Sequence, residues 1–110
     1  MGTELEDLLF LHIKASGLPE PEREKEFIKG RKFRADFLWR KERVIAEVNG
    51  GTFRRMAHST GEGIHRDYEK GDLATLAGWR YLNFDRKMIE DGFAIECLRK
   101  VLDTKEAKND

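Results

Sequence analysis

The sequence predicts an α/β (α+β) domain, a mixed β-sheet of about four strands flanked by helices in the order α-β-β-β-α-β-α. Three observations predict it. Residues 33–49 alternate apolar and polar side chains with a period of two, broken by one short polar turn. The segments before and after repeat their apolar residues at helical spacing. Gly17, Pro19, Pro21, Gly30 and Gly78 fall at the joints between them.

Taken in order, Leu5, Leu8, Leu9 and Ile13 share one stripe and predict a helix over 4–16, which Gly17 and Leu18-Pro19 stop. The charged, loosely alternating residues 22–27 read as an edge strand. Phe33, Ala35, Phe37 and Trp39 then alternate with Arg34, Asp36, Leu38 and Arg40. Val44, Ala46 and Val48 alternate with Ile45, Glu47 and Asn49. A hairpin centred on Lys41-Glu42 pairs 39 with 44, 37 with 46, 36 with 47 and 34 with 49. This register gathers residues 33, 35, 37, 39, 44, 46 and 48 on one apolar face, which a one-residue slip would scramble. Residues 52–63 read as a polar loop and 64–77 as a helix closed by Gly78. Residues 79–84 form a strand and 92–102 a last helix. The expectation is one domain over 1–104 and a polar tail over 105–110.

The composition narrows the function classes. The chain has 110 residues, 39% hydrophobic and 38% charged, which suits a globular domain and not wholesale disorder. No apolar run approaches the roughly 20 residues of a membrane span. The acidic start is unlike a signal peptide, so no membrane partner is expected and the cytoplasm is the expected location. One cysteine, Cys97, excludes an internal disulfide and reads as a small core residue among Ile95, Leu98 and Val101. With 21 basic and 21 acidic residues the net charge is zero, which disfavours a protein that coats nucleic acid nonspecifically.

The other face of the hairpin carries Arg34, Asp36, Leu38, Ile45, Glu47 and Asn49. Directly opposed residues have Cβ atoms roughly 4.5–5.5 Å apart, so Asp36 and Glu47 confront each other as like charges. A hard divalent cation such as Mg²⁺ resolves that conflict, and it can activate water and offset charge building on a phosphate. The bland alternative pairs the two acids with Arg34 or Arg40 on a solvated face. Against it, Leu38 and Ile45 make the face partly apolar, and Gly50-Gly51 lets a ligand approach closely.

Asp36, ten intervening residues and then Glu47-Val48-Asn49 resemble the core of the PD-(D/E)XK nuclease superfamily. More narrowly, the chain resembles small phage and prophage endonucleases related to very-short-patch-repair endonucleases and Holliday junction resolvases. The likeness runs in order through Leu5-Glu6, Gly17-Leu18-Pro19, Arg34-Ala35-Asp36-Phe37 and Glu47 to Gly51. It continues through His58, Gly61, Gly63, Asp67, Glu69-Lys70 and Gly78-Trp79-Arg80. The resemblance implies a restriction-endonuclease-like core and a Mg²⁺-dependent endodeoxyribonuclease in which Mn²⁺ substitutes. It implies a metal held by Asp36, Glu47 and the backbone carbonyl of Val48. Glu6 would assist through water or a second ion, or else be an ordinary first-turn helix acid.

The chain departs from the family at Asn49, where the superfamily usually has lysine. Lys70 on the following helix can take over that role, or it can be a solvated residue paired with Asp67 or Glu69. His58 is a candidate to orient water or protonate the leaving oxygen. His65 is a candidate phosphate contact, and His12 reads as structural. Arg34, Arg54, Arg55 and Arg66, with Arg31, Lys32 and Lys70, supply a basic surface for DNA. The substrate stays open between plain duplex and branched or junction DNA, and a junction resolvase requires a homodimer with two sites. The rival class is a nuclease-fold DNA-binding module without activity, marked by Asn49. A nuclease directed at RNA is a third reading.

Overall fold

The structure is a computed structural model and describes residues 3–49 and 61–103, with only the backbone described at 61, 62 and 64. Helix α1 (Glu4–Ala15) starts where Thr3 caps it, its hydroxyl accepting the Glu6 N–H at 3.1 Å. It ends at Ser16, and Gly17 turns the chain out with φ +70°. Three antiparallel strands follow, β1 (Glu22–Glu26), β2 (Arg34–Trp39) and β3 (Val44–Val48). Helix α2 (Gly61–Leu76) leads to β4 (Arg80–Phe84), which runs parallel to β3. Two helices close the described chain, α3 (Arg86–Glu90) and α4 (Phe93–Leu102). The sheet order is β1-β2-β3-β4, so the expected mixed four-stranded sheet is present and β1 is an edge.

Two apolar layers hold the sheet between helices. On one face Leu5, Leu9 and Ile13 of α1 and Ala94, Leu98 and Leu102 of α4 pack on Phe37, Trp39, Val44 and Ala46. On the other, Ala74 of α2 and Trp79 pack on Leu38 and Ile45. Cys97 is half-buried against the first cluster, as its neighbours predicted. Trp39 spends its indole N–H on the Pro19 carbonyl at 2.7 Å, which ties the α1–β1 connection to β2. No helix among the described residues is long and apolar enough to cross a membrane.

The hairpin register matches expectation where backbone pairing exists, with Phe37 opposite Ala46 and Trp39 opposite Val44. The turn spans residues 40–43. Arg43 takes φ +59° and lays its guanidinium 4.0 Å from the Trp79 ring centroid. Three expectations need correction. The seven-residue apolar face does not extend along all of β2. Ala35 packs in the second cluster with Leu38 and Ile45, and Phe33 is buried beneath the guanidinium groups of Arg31 and Arg66. The cause lies at Asp36, where side chains take over from the backbone ladder and the strict alternation stops. Helix α2 begins at Gly61, three residues before the expected start, because the glycines at 61 and 63 are accommodated within it. A short helix, α3, was not anticipated; Asp85 caps it by accepting the Met88 N–H at 3.0 Å. The segment 50–60 and the tail from 104 lie outside the described residues.

Phe37 has no solvent exposure and lies between Phe10 and Trp39, at centroid distances of 6.5 and 6.3 Å. Phe37→Ala should destabilise the fold by about 3–5 kcal/mol, read as a lower urea midpoint at unchanged slope. A loss below about 1 kcal/mol would contradict this packing.

Candidate active site

Asp36 and Glu47 sit where β2 and β3 part. In an ordinary antiparallel pair the backbone N–H groups there would find carbonyls across the ladder. Here the Asp36 N–H donates to Glu47 Oε2 at 3.0 Å, and the Val48 N–H donates to Asp36 Oδ2 at 2.8 Å. Each strand therefore offers a carboxylate to the other strand's backbone. The expected confrontation of the two acids is present, softened by two charge-assisted hydrogen bonds.

Burial makes the confrontation severe. Among the described residues, Glu6 and Glu47 are the charged or polar side chains that are fully buried, at 7% and 8% exposure. Burial raises the Glu47 pKa above the usual carboxylate range and Asp36 adds to the rise, while Lys70 and the hydrogen bonds oppose it. Burial likewise raises Asp36, against the lowering by the Val48 N–H and by Lys70. Lys70 reaches down from α2 to donate to Glu47 Oε1 at 2.5 Å and to the Arg34 carbonyl at 2.5 Å. Its ion-pair partner is Glu47. Glu69 pairs with Arg31 at 2.9 Å.

On the far side of Asp36 stands a second group of acids. Glu6, from the first turn of α1, and Glu24, from β1, each bring a carboxylate oxygen within 4.8 Å of the others and of one from Asp36. Burial pushes the Glu6 pKa up to about 7, with Asp36 and Glu24 adding to the rise and Arg23 opposing it. Glu6 Oε1 accepts no hydrogen bond, and the Arg23 guanidinium stands 3.8 Å from it. A buried carboxylate oxygen without a donor, beside two more acids, matches the donor set of a hard divalent cation.

The other predicted residues divide clearly. Arg34 and Arg66, with Lys32, Phe33, Asp67 and Lys70, line a cavity of about 260 Å³ beside the Lys70–Glu47 pair. Both arginines are exposed there, and so is His65 on α2. Asn49 donates its side-chain amide to Asn83 Oδ1 on β4 at 3.0 Å. Arg40, the alternative partner for Asp36 or Glu47, pairs instead with Glu22 at 3.0 Å. His12 is half-buried on α1. Arg54, Arg55 and His58 lie outside the described residues. Glu24 was missed by sequence reasoning, though a signal existed. Once residues 22–26 pair with 34–38, Glu24 falls opposite Asp36.

The raised pKa of Glu6 makes stability pH-dependent. The unfolded chain releases this proton near 4.5, whereas the folded chain keeps it to about 7. Between those values the folded state binds more protons, so its stability is complete below the first value and is lost as pH rises through the second. Asp36 and Glu47 shift in the same direction. Without divalent metal, the melting temperature should fall as pH rises through this window, and less steeply in Glu6→Gln. Equal slopes in the two proteins would contradict it.

No protein-family model matches the chain, and no curated protein matches its sequence. Among solved structures, the chain is similar to the catalytic domain of the homing endonuclease I-Bth0305I. The TM-score is 0.67 over 91% of this chain and 94% of that one, at 16% sequence identity. The protein thus has the fold of a nuclease catalytic domain, with an acidic centre at the parting of β2 and β3.

Proposed function

We propose that this protein is a metal-dependent endonuclease of the PD-(D/E)XK type that hydrolyses DNA phosphodiester bonds. One observation carries the reading. Acids converge on Asp36 on a nuclease fold, with Glu6 and Glu47 buried and one Glu6 oxygen left without a donor, and a cavity lined by Arg34, Arg66 and Lys70 lies on the Glu47 side. Asp36 is the central metal ligand, with Glu47 and the Val48 carbonyl beside it. The hydrogen bonds to Glu47 do not exhaust it, since an ionised carboxylate has about four lone-pair sites. A bound Mg²⁺ or Mn²⁺ supplies Lewis-acid stabilisation of the phosphate's developing charge and makes water more acidic.

The chain's own residues do the rest. Lys70 is the cation of the centre, in the role the superfamily usually gives to the position of Asn49. Its ammonium holds Glu47 in one orientation and can hydrogen-bond an attacking water from the same place. Arg34 and Arg66 hold backbone phosphates in the cavity between them, and His65 extends the DNA surface; Arg54 and Arg55 are proposed DNA contacts and His58 the proposed acid for the leaving oxygen, all three outside the described residues. Structure-selective cutting of branched or junction DNA belongs to this reading, and junction resolution further requires two copies of the chain. A second reading, a DNA-binding module without chemistry, is favoured by the fact that protein groups already satisfy both oxygens of Glu47.

Cleavage of labelled four-way junction, flap, mismatched, nicked and intact duplex substrates separates the two. Wild-type protein should cut at least one with Mg²⁺ or Mn²⁺ and none with chelator. Asp36→Asn should lose about 10²-fold or more of that rate. DNA binding without metal-dependent cutting would favour the second reading.

Lys70→Ala should lower the rate about 10–100-fold, as expected when a group orienting a metal ligand is removed. Asn49→Lys in that background should recover part of it. An unchanged rate in Lys70→Ala would remove Lys70 from the proposed role.

A further inference from the structure

Between α2 and β4 lies another cavity, of about 470 Å³, whose lining includes Tyr68, Gly71, Asp72, Tyr81 and Asn83. We propose that this groove holds an unpaired nucleobase of the DNA strand, next to the phosphate presented to the acidic centre. The inference deepens the nuclease reading and rests on it for the path of the strand, though not for the groove's affinity for a base.

The register of the sheet fixes where the groove lies. In the parallel pair of β3 and β4, Tyr81 stands beside Ile45 and Asn83 beside Glu47. Paired residues on adjacent strands face the same side of a sheet, and the strands are about 4.8 Å apart. Ile45 and Tyr81 belong to the apolar layer under α2, so Asn83 lies on that side too, one strand away from Glu47. The cationic cavity adjoins the start of β2, through Phe33 and Arg34. The acidic centre therefore has phosphate-binding groups on its β2 side and the groove on its β4 side. Asp67 lines both cavities, at the level where a strand crosses from one to the other.

The lining selects the ligand. Asp67 and Asp72 make the groove acidic, and no lysine or arginine is among its lining residues, so it repels a phosphate. What it offers is flat and aromatic. Tyr68 is 70% exposed on a charged helix. One such residue would need no explanation, but this one shares a groove with a second tyrosine. Glycine at 71 keeps the Tyr81 ring open to the groove. A Cβ there would stand 3.6 Å from the ring, in ordinary contact, and a longer side chain would reach into the groove. Unstacked bases are held in this way, on aromatic faces and by hydrogen bonds to their edges. Asn83 can donate to a ring nitrogen or carbonyl, and Asp72 can accept from an exocyclic amine. Adenine and cytosine suit that pair of groups better than thymine. The volume falls in the range of about 300–1,000 Å³ common to small-molecule sites. A base is released into such a site most easily where it is already unpaired, as at a mismatch, bulge or branch.

The test is binding of the full chain to labelled duplexes in chelator, followed by fluorescence anisotropy. The duplexes carry a bulged adenine, a bulged thymine, a bulged abasic site or no bulge. Wild type should bind the adenine bulge about tenfold or more tightly than the abasic one, the scale of base stacking on aromatic side chains, with thymine between them. Tyr68→Ala and Gly71→Met should each bring adenine to within about twofold of the abasic site, as the stacking surface is removed or covered. Methionine favours a helix more than glycine does, so a loss in Gly71→Met is not a folding defect. Arg66→Ala should weaken all the duplexes alike, as a phosphate contact does. Wild type binding adenine and abasic bulges equally, or neither, would overturn the inference, as would both groove variants keeping the preference. Sedimentation showing that both variants lose it by splitting a dimer would also overturn it, since the groove would then hold a second copy of the chain. If metal-dependent cleavage persists with no base preference, the nuclease reading stands and the groove falls. A base preference in a protein that cuts no DNA would keep the groove and remove the nuclease.

Discussion

The structure turns on an exchange of acceptors between β2 and β3. At Phe37 and Trp39 the strands are joined in register to Ala46 and Val44. One step further, carboxylates replace carbonyls as acceptors for the Asp36 and Val48 N–H groups. Two like charges are thereby held inside the sheet by the backbone itself. The arrangement is costly in isolation, because buried carboxylates lose hydration and repel one another. Everything around it can be read as compensation for that cost. Lys70 comes from α2 on one side, and the Arg23 guanidinium stands beside Glu6 on the other.

The compensation explains why the fold needs both of its apolar layers. Helix α2 must lie flat on Leu38 and Ile45, through Ala74, for Lys70 to reach Glu47. Helix α1 must pack Leu5 and Leu9 onto the other face for Glu6 to be carried inward beside Asp36. The interruption of the ladder also frees the start of β2 from strict alternation. Phe33 can then turn under Arg66 and floor the cationic cavity beside the acids. A local break in one hairpin thus creates the acidic centre and the adjoining basic surface together.

Much of this was legible in the residues. The period-two pattern of 33–49 specifies a register because a slip exposes the core, and that register alone put Asp36 opposite Glu47. Helix α1 and β4 were equally readable from their apolar spacing and bounding glycines. The failures share a physical origin. Periodicity assumes an unbroken ladder, so it placed Ala35 and Phe33 on the wrong packing surface. Glu24 looked like one more charge on a solvated edge strand, since its importance depends on the pairing of β1 with β2. The contact of Lys70 depends on how α2 crosses the sheet, a tertiary fact that no local pattern carries. Helix α3 had a visible cap in Asp85 but too few apolar residues to show a stripe.

The acidic centre can be located directly by adding substoichiometric Mn²⁺ to isotopically labelled protein and following the loss of each backbone amide signal. The signals of Glu6, Asp36 and Val48 should broaden first, and excess Mg²⁺ should restore them. Broadening centred on the exposed acids Asp85, Glu90 and Asp91, or spread evenly over the surface, would contradict a cation site at the parting of β2 and β3.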